Sequence, residues 1–278
     1  MTKIEQNIKQ VADMLLINGT LAECPGLVHG KMGIAVFFFH YAQYTGNMLF
    51  EDYAMDLISE TLNQIHINSS ADYEKGIAGI GVGIDYLVRN EFLVTEEDIC
   101  EDLDQRMVRA VMYDPWPGFS LYDGLTGYGR YWISRLHFPA SVKLARECLV
   151  HIVGLIEEYL ADISEEEQTD VCYFLHDLQK KTGFDRCIEL LSQCHKWRLD
   201  RCSPHLNDSI IGDIVCMYQH SLYFNAWPVE IDIALKQIPE LDIERPPAAM
   251  GLLSGYAGEG LLRLTALDAT NMSWMALL

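Results

Sequence analysis

The feature that most constrains this chain is one line written four times. "HGKMGIAVF" starts at His29, "KGIAGIGVG" at Lys75, "DGLTGYGRY" at Asp123 and "SGYAGEGLL" at Ser254. Each copy opens on a polar residue and a glycine, with a second glycine three positions on: Gly30 and Gly33, Gly76 and Gly79, Gly124 and Gly127, Gly255 and Gly258. An apolar, aromatic-rich run follows each pair. The first three leading glycines stand 46 and 48 residues apart, and the fourth lies 131 beyond the third, close to three more steps. A fixed period of this size marks a repeat architecture. Two further copies are expected near residues 170 and 212, where "DVCYFLHDLQKK" has lost its glycines and "IGDIVCMYQHSLYF" keeps Gly212.

Each of the six units also carries a more charged segment with helical periodicity. These are "IEQNIKQVADMLL", "FEDYAMDLISETLNQI", "TEEDICEDLDQRMVRAVM", "SVKLARECLVHIVGLIEEYL", "DRCIELLSQCHKW" and "PVEIDIALKQI". Thr95 before "EED" reads as an N-cap with acids in the first turn. No stretch alternates with period two for long enough to make a strand. The pattern predicts an all-α chain: a single domain over residues 1–278, an (α/α)6 toroid of six helical hairpins. Glycine-headed apolar helices form its inner ring and amphipathic ones its outer ring. The leading glycines are expected to supply a positive φ ahead of each inner helix and to let helix ends approach closely.

The net charge of −20 argues against a nucleic-acid backbone or an anionic membrane as partner. No apolar run approaches the ~20 residues that span a bilayer, and the N-terminal stretch lacks the apolar core of a signal peptide. A cytoplasmic location is therefore expected. The eight cysteines form no CxxC pair, and most are expected to be buried thiols.

Inner helices running the same way would gather their N-termini around one mouth. Unpaired N–H groups there would suit an anion, a peptide carbonyl or a carboxylate. His29, Lys75, Asp123 and Ser254 precede the leading glycines, and Asp170 and Cys172 lie near the fourth unit's start. Asp123 and Ser254 are ordinary N-cap types. His29 and Lys75 cap poorly and are expected to line the cavity. His29 and Asp123 are the candidates for acid/base work. Tyr122, Tyr128, Tyr131, Trp116 and Trp132 cluster around the third unit, where aromatics either stack on a ligand or fill the core. The acidic run from Ser164 reads as a solvated loop, and the tail after Ala266 has no repeat partner.

"GLVHGKMGIAVFFFHYAQYTGN", "KGIAGIGVGIDYL", "DGLTGYGRYWISRL" and "GLLSGYAGEGLLRL" resemble the glycine-headed repeats of the lanthionine synthetase C-like family over nearly the whole chain. The resemblance implies an α/α toroid. In active members zinc lowers the pKa of a peptide cysteine, which then adds to a dehydrated residue to close a thioether ring. It also implies a Cys-Tyr-Gly and a Cys-His-Gly motif, and here the sequence departs. Cys172-Tyr173 and Cys194-His195 both lack the glycine, while Cys202 and His205 fall in the loop before the fifth inner helix. Cys172, Cys202 and His205 make the Cys2His set that zinc would use, with an open fourth position. Cys194 with His195 is the alternative set. A further motif, Ala-His-Gly, is echoed by Val28-His29-Gly30.

Three functions are therefore expected as alternatives. The first is a divergent relative without a cofactor, binding a peptide or small molecule beside a partner protein of a peptide-modification system. The second is an active zinc-dependent cyclase. The third is a carbohydrate-active (α/α)6 enzyme using Asp123 and Asp170 as paired carboxylates.

Overall fold

The computed structural model describes residues 2–95, 98–113, 118–194, 197, 210–224, 229–241 and 249–278. Among these residues the chain is helical, with no strand. In order the helices are α1 (Lys3–Asn18), α2 (Lys31–Thr45), α3 (Leu49–Gln64), α4 (Ile77–Arg89), α5 (Glu101–Met112), α6 (Leu125–Ser134), α7 (Val142–Glu158), α8 (Gln168–Thr182), α9 (Asp185–Gln193), α10 (Ile210–Phe224), α11 (Val229–Lys236) and α12 (Tyr256–Leu267). None is long and apolar enough to cross a membrane.

Two kinds of helix alternate along the chain, as the repeat predicts. α2 is buried without a break from Lys31 to Ala42, α4 from Ile77 to Leu87, and α12 from Tyr256 to Thr265. α1 and α7 instead bury one face: Ile8, Val11, Ala12 and Leu15 on α1, and Ala145, Cys148, Leu149, Ile152, Val153 and Ile156 on α7. That spacing is the apolar stripe of a helix with a solvated back. Local signals fix several ends. Thr2 and Glu5 close a capping box on α1. Gly46 and Gly183 end α2 and α8 in the left-handed region, at φ 68° and 67°.

α5 differs from its expected start. The helix begins at Glu101 with Cys100 as its N-cap residue, so Thr95 is not the N-cap of α5. Asp98 explains the shift. Its carboxylate accepts the Cys100 N–H at 3.1 Å and pairs with Arg135, which holds residues 98–100 out of the helix.

The helices fall into two compact units. One comprises Met1–Ser69 with His205–Leu278, the other Ser70–Pro204. In the first, α12 packs on α1 and α2, so the last glycine-headed unit lies against the first. α2 packs on α3, where the Lys31 ammonium, almost fully buried, reaches Glu60 at 2.6 Å. The C-terminal tail belongs to this core. Trp274, Met275 and Leu278 are fully buried, and the Trp274 indole N–H donates to Thr265 Oγ1 at 3.0 Å. In the second unit α6 is central, packing on α4, α5, α7 and α8, and α9 lies on α8.

Candidate functional site

The seven residues ahead of α2, α4, α6 and α12 share one backbone geometry. In each, the first helical N–H donates to the carbonyl of the residue six before the leading glycine: Lys31 to Cys24 (2.9 Å), Ile77 to Ser70 (3.0 Å), Leu125 to Gly118 (3.0 Å) and Tyr256 to Ala249 (2.9 Å). The next N–H reaches one residue further along in three of them: Met32 to Pro25, Ala78 to Ala71 and Ala257 to Met250. In the third unit the Thr126 hydroxyl takes the equivalent carbonyl, Phe119, at 2.9 Å. The loop thus folds back over the helix start and fills the donors that a helix N-terminus leaves open.

This overturns three expectations. The N-termini of these four helices do not present their first donors to a ligand, because loop carbonyls occupy them. Asp123 and Ser254 are not N-caps; each leading glycine is itself the N-cap residue, with no side-chain cap. The leading glycines are also not at positive φ. Gly30, Gly76, Gly124 and Gly255 lie at φ −128°, −105°, −114° and −117°, extended backbone open to any residue. They are needed for space. A Cβ would strike the Cys24 carbonyl at Gly30, the Ser70 carbonyl at Gly76, and Ser120 at Gly124. Backbone atoms so placed cannot yield as a flexible side chain can.

The second glycines serve the same fold-back. A Cβ at Gly33, Gly127 or Gly258 would overlap the carbonyl of Leu27, Leu121 or Leu252 respectively, the residue three before the leading glycine. Neighbouring loops are also stitched alike in both units. Tyr73 and Glu74 both donate N–H to the Tyr122 carbonyl (3.0 and 2.9 Å), and Leu252 and Leu253 both donate to Val28 (2.7 and 3.4 Å). The side chain of the donor loop rests on the acceptor's second glycine: Tyr73 over Gly127, Leu252 over Gly33.

The fourth unit shows what replaces the lost glycines. The α8 N-cap is Glu167, which puts Asp170 at the second-glycine register. An aromatic contact fixes that register. Tyr131 packs on Gly81, Phe37 on Gly260 and Phe174 on Gly129, each ring seven residues beyond its own unit's first position. Asp170 then does with a side chain what Tyr122 and Val28 do with a carbonyl. Its Oδ2 accepts the Leu121 N–H at 2.8 Å, and Glu167 Oε1 accepts the Phe119 N–H at 2.6 Å. The acidic run therefore ends in a structural contact, and only its first residues are solvated. Burial pushes the Asp170 carboxyl up to about 7.

The remaining sequence candidates fall as follows. His29 is half-buried, while Lys75, Asp123 and Ser254 are exposed. Lys75 pairs with Glu74 at 3.4 Å, and Asp123 is held by the Ser120 hydroxyl. Tyr122, Tyr128, Tyr131 and Trp132 are buried and belong to the core, and Trp116 lies outside the described residues. Cys202, His205 and His195 also lie outside them. Cys172 and Cys194, 22 residues apart, do come together. Both are buried, and their two thiols lie close enough to hydrogen-bond to each other. That contact holds the Cys194 thiol below the usual range and, with burial, pushes Cys172 up. Cys24, Cys100, Cys148 and Cys187 are not in disulfides, whereas Cys216 is disulfide-bonded. Among the described residues no group of three or more His, Cys, Asp or Glu side chains is placed to hold a metal ion.

A charged cluster at the other ends of α4 and α6 carries no sequence motif. Arg135, 1% exposed, donates through Nε to Asp104 Oδ1 (2.9 Å), through Nη1 to Asp98 Oδ1 (2.9 Å) and through Nη2 to Ser141 Oγ (2.8 Å). The Tyr131 hydroxyl and the Ser141 hydroxyl both donate to Asp104. Its members come from four places in the chain, and only the fold unites them. The one signal available beforehand was the amphipathic pattern of α5, in which Asp104 falls on the apolar face with Leu103, Met107 and Val111. A search of protein-family models finds no match to this chain, and a search of curated proteins finds none either.

Proposed function

We propose that the chain is a divergent relative of the lanthionine synthetase C-like proteins that binds a peptide or small molecule within a peptide-modification system. In this reading the helix pairs complete an (α/α)6 toroid, and His29, Lys75, Asp123 and Ser254 stand at its mouth. The observation that carries it is the shared geometry of the four glycine-headed loops, together with the packing of α12 on α1 and α2, which brings the last unit back to the first. Because the helix donors are consumed by the loops, recognition would rest on the side chains ahead of the leading glycines and not on helix termini. The purified protein should bind a cysteine-containing peptide bearing dehydroalanine saturably, without forming a thioether. Calorimetry should find that binding weakened in His29→Ala and Lys75→Ala. Failure to bind, in wild type and variants alike, would contradict this reading.

A second reading, the zinc-dependent cyclase, draws support from the adjacent Cys172 and Cys194, which would supply two thiolates with a further ligand beyond them. Elemental analysis separates the two. Near-stoichiometric zinc lost in Cys172→Ala favours the cyclase, and its absence from the wild type favours the binding protein. For the carbohydrate-active reading, Asp170 is already engaged by the Leu121 N–H and Asp123 by Ser120, so no observation favours it.

A further inference from the structure

Cys172 and Cys194 face each other across a helical hairpin. Each lies eleven residues from Gly183, whose left-handed backbone ends α8 just before α9 begins. α9 packs on α8, and Cys187, Leu190 and Cys194 form one buried stripe along it at the i, i+3, i+7 spacing of a helix face. Two arms of equal length therefore bring the sulfurs side by side, close enough to hydrogen-bond. A disulfide needs only that they approach to about 2.05 Å. Other buried thiols lack such a neighbour among their perturbing groups. Burial pushes Cys100 and Cys148 up to about 12 and Cys187 up to about 11, which keeps them as inert protonated thiols.

We propose that Cys172 and Cys194 form a redox couple, a dithiol that hydrogen peroxide closes into a disulfide stapling the end of α9 to α8. Cys194 reacts first, because α9 stops at it and a fraying helix end admits a water-sized oxidant. Its thiolate attacks one peroxide oxygen. An S–O bond forms, the O–O bond breaks, and the departing hydroxide leaves as water with the thiol's proton. Cys172, held inside α8, then attacks the sulfur of this sulfenic acid. The S–S bond forms, the S–O bond breaks, and the second hydroxide leaves as water with the Cys172 proton. Both sulfurs are oxidised, and one peroxide is reduced to two waters. A small dithiol reverses the change by exchange.

The staple ties α9 to the helix whose Glu167 and Asp170 hold the loop ahead of α6. It also excludes metal binding at the same sulfurs, since a disulfide offers no thiolate.

The test is a peroxide titration of the whole native protein, followed by thiol alkylation and peptide mass mapping. A chelator is added first, so that no bound metal shields the pair. The first disulfide to form should join the Cys172 and Cys194 peptides, with two hydrogens lost, and dithiothreitol should restore both thiols. Cys172→Ser should stop at a Cys194 sulfenic acid, which dimedone traps. Cys194→Ser should leave the Cys172 thiol unoxidised at the same dose. The wild-type cross-link decides the matter even where a variant does not fold. Its absence, or oxidation of Cys100, Cys148 or Cys187 ahead of it, would overturn the couple.

Discussion

The two ends of α4 and α6 are held by opposite means. At their N-terminal ends, backbone carbonyls meet backbone N–H groups across gaps kept open by Gly76, Gly124 and Gly127. At their C-terminal ends, Arg135, Asp98, Asp104, Tyr131 and Ser141 hold one another through side chains. The first arrangement tolerates almost any side chain at the surface but no Cβ beneath. The second depends on the identity of every member. One can therefore be copied around a fold, and the other is built once.

The largest effect should come from breaking the charged end. Arg135→Met would leave Asp98 and Asp104 without their shared cation, and removing one partner of a buried ion network costs about 3–5 kcal/mol. Denaturant unfolding measures it. A loss below about 1 kcal/mol would show that water reaches those carboxylates as it does at surface pairs.

The fourth unit sharpens the comparison, because Asp170 brings a charge to the glycine end. Its folded-state carboxyl lies at about 7, above its ordinary value of 3.8. The folded protein therefore binds a proton that the unfolded chain releases between those values. The associated stability is complete below about pH 4 and is lost as pH rises through about 7. Asp170→Asn keeps an acceptor for the Leu121 N–H and removes the titration. The variant should match the wild type near pH 4 and exceed it in melting temperature near pH 8. Asp85, raised in the same direction, leaves a smaller residual slope in the variant. Parallel pH profiles would show that Asp170 does not titrate in the fold.

The repeat, the alternation of buried and one-sided helices and most helix positions could be read from the residues, because glycine spacing and apolar periodicity act locally along the chain. The reason for the glycines could not. Positive φ and a missing Cβ select the same residue, and only the position of the Cys24, Ser70 or Leu121 carbonyl tells them apart. Asp170 stands out in the sequence as an acid near the fourth unit's start, but its structural role does not, because only the register of α8 puts it where a second glycine stands elsewhere. Cys172 and Cys194 were visible as motif fragments, yet their separation in sequence gave no sign that α9 returns its end to α8. The Arg135 cluster left no trace because its side chains follow no period.

The measurement closest to the central claim, that the glycines of the repeat are required for space, is a pair of glycine-to-alanine variants in one unit. At Gly127 a Cβ meets the Leu121 carbonyl and, at 2.8 Å, the Tyr73 Cβ, whereas at Gly154 on α7 nothing lies within 4 Å. Unfolding free energies should move in opposite directions. Gly127→Ala should lose about 1–3 kcal/mol to overpacking, and Gly154→Ala should gain about 0.5–1 kcal/mol through lower unfolded-state entropy. A Gly127→Ala as stable as the wild type, beside a stabilised Gly154→Ala, would contradict the account.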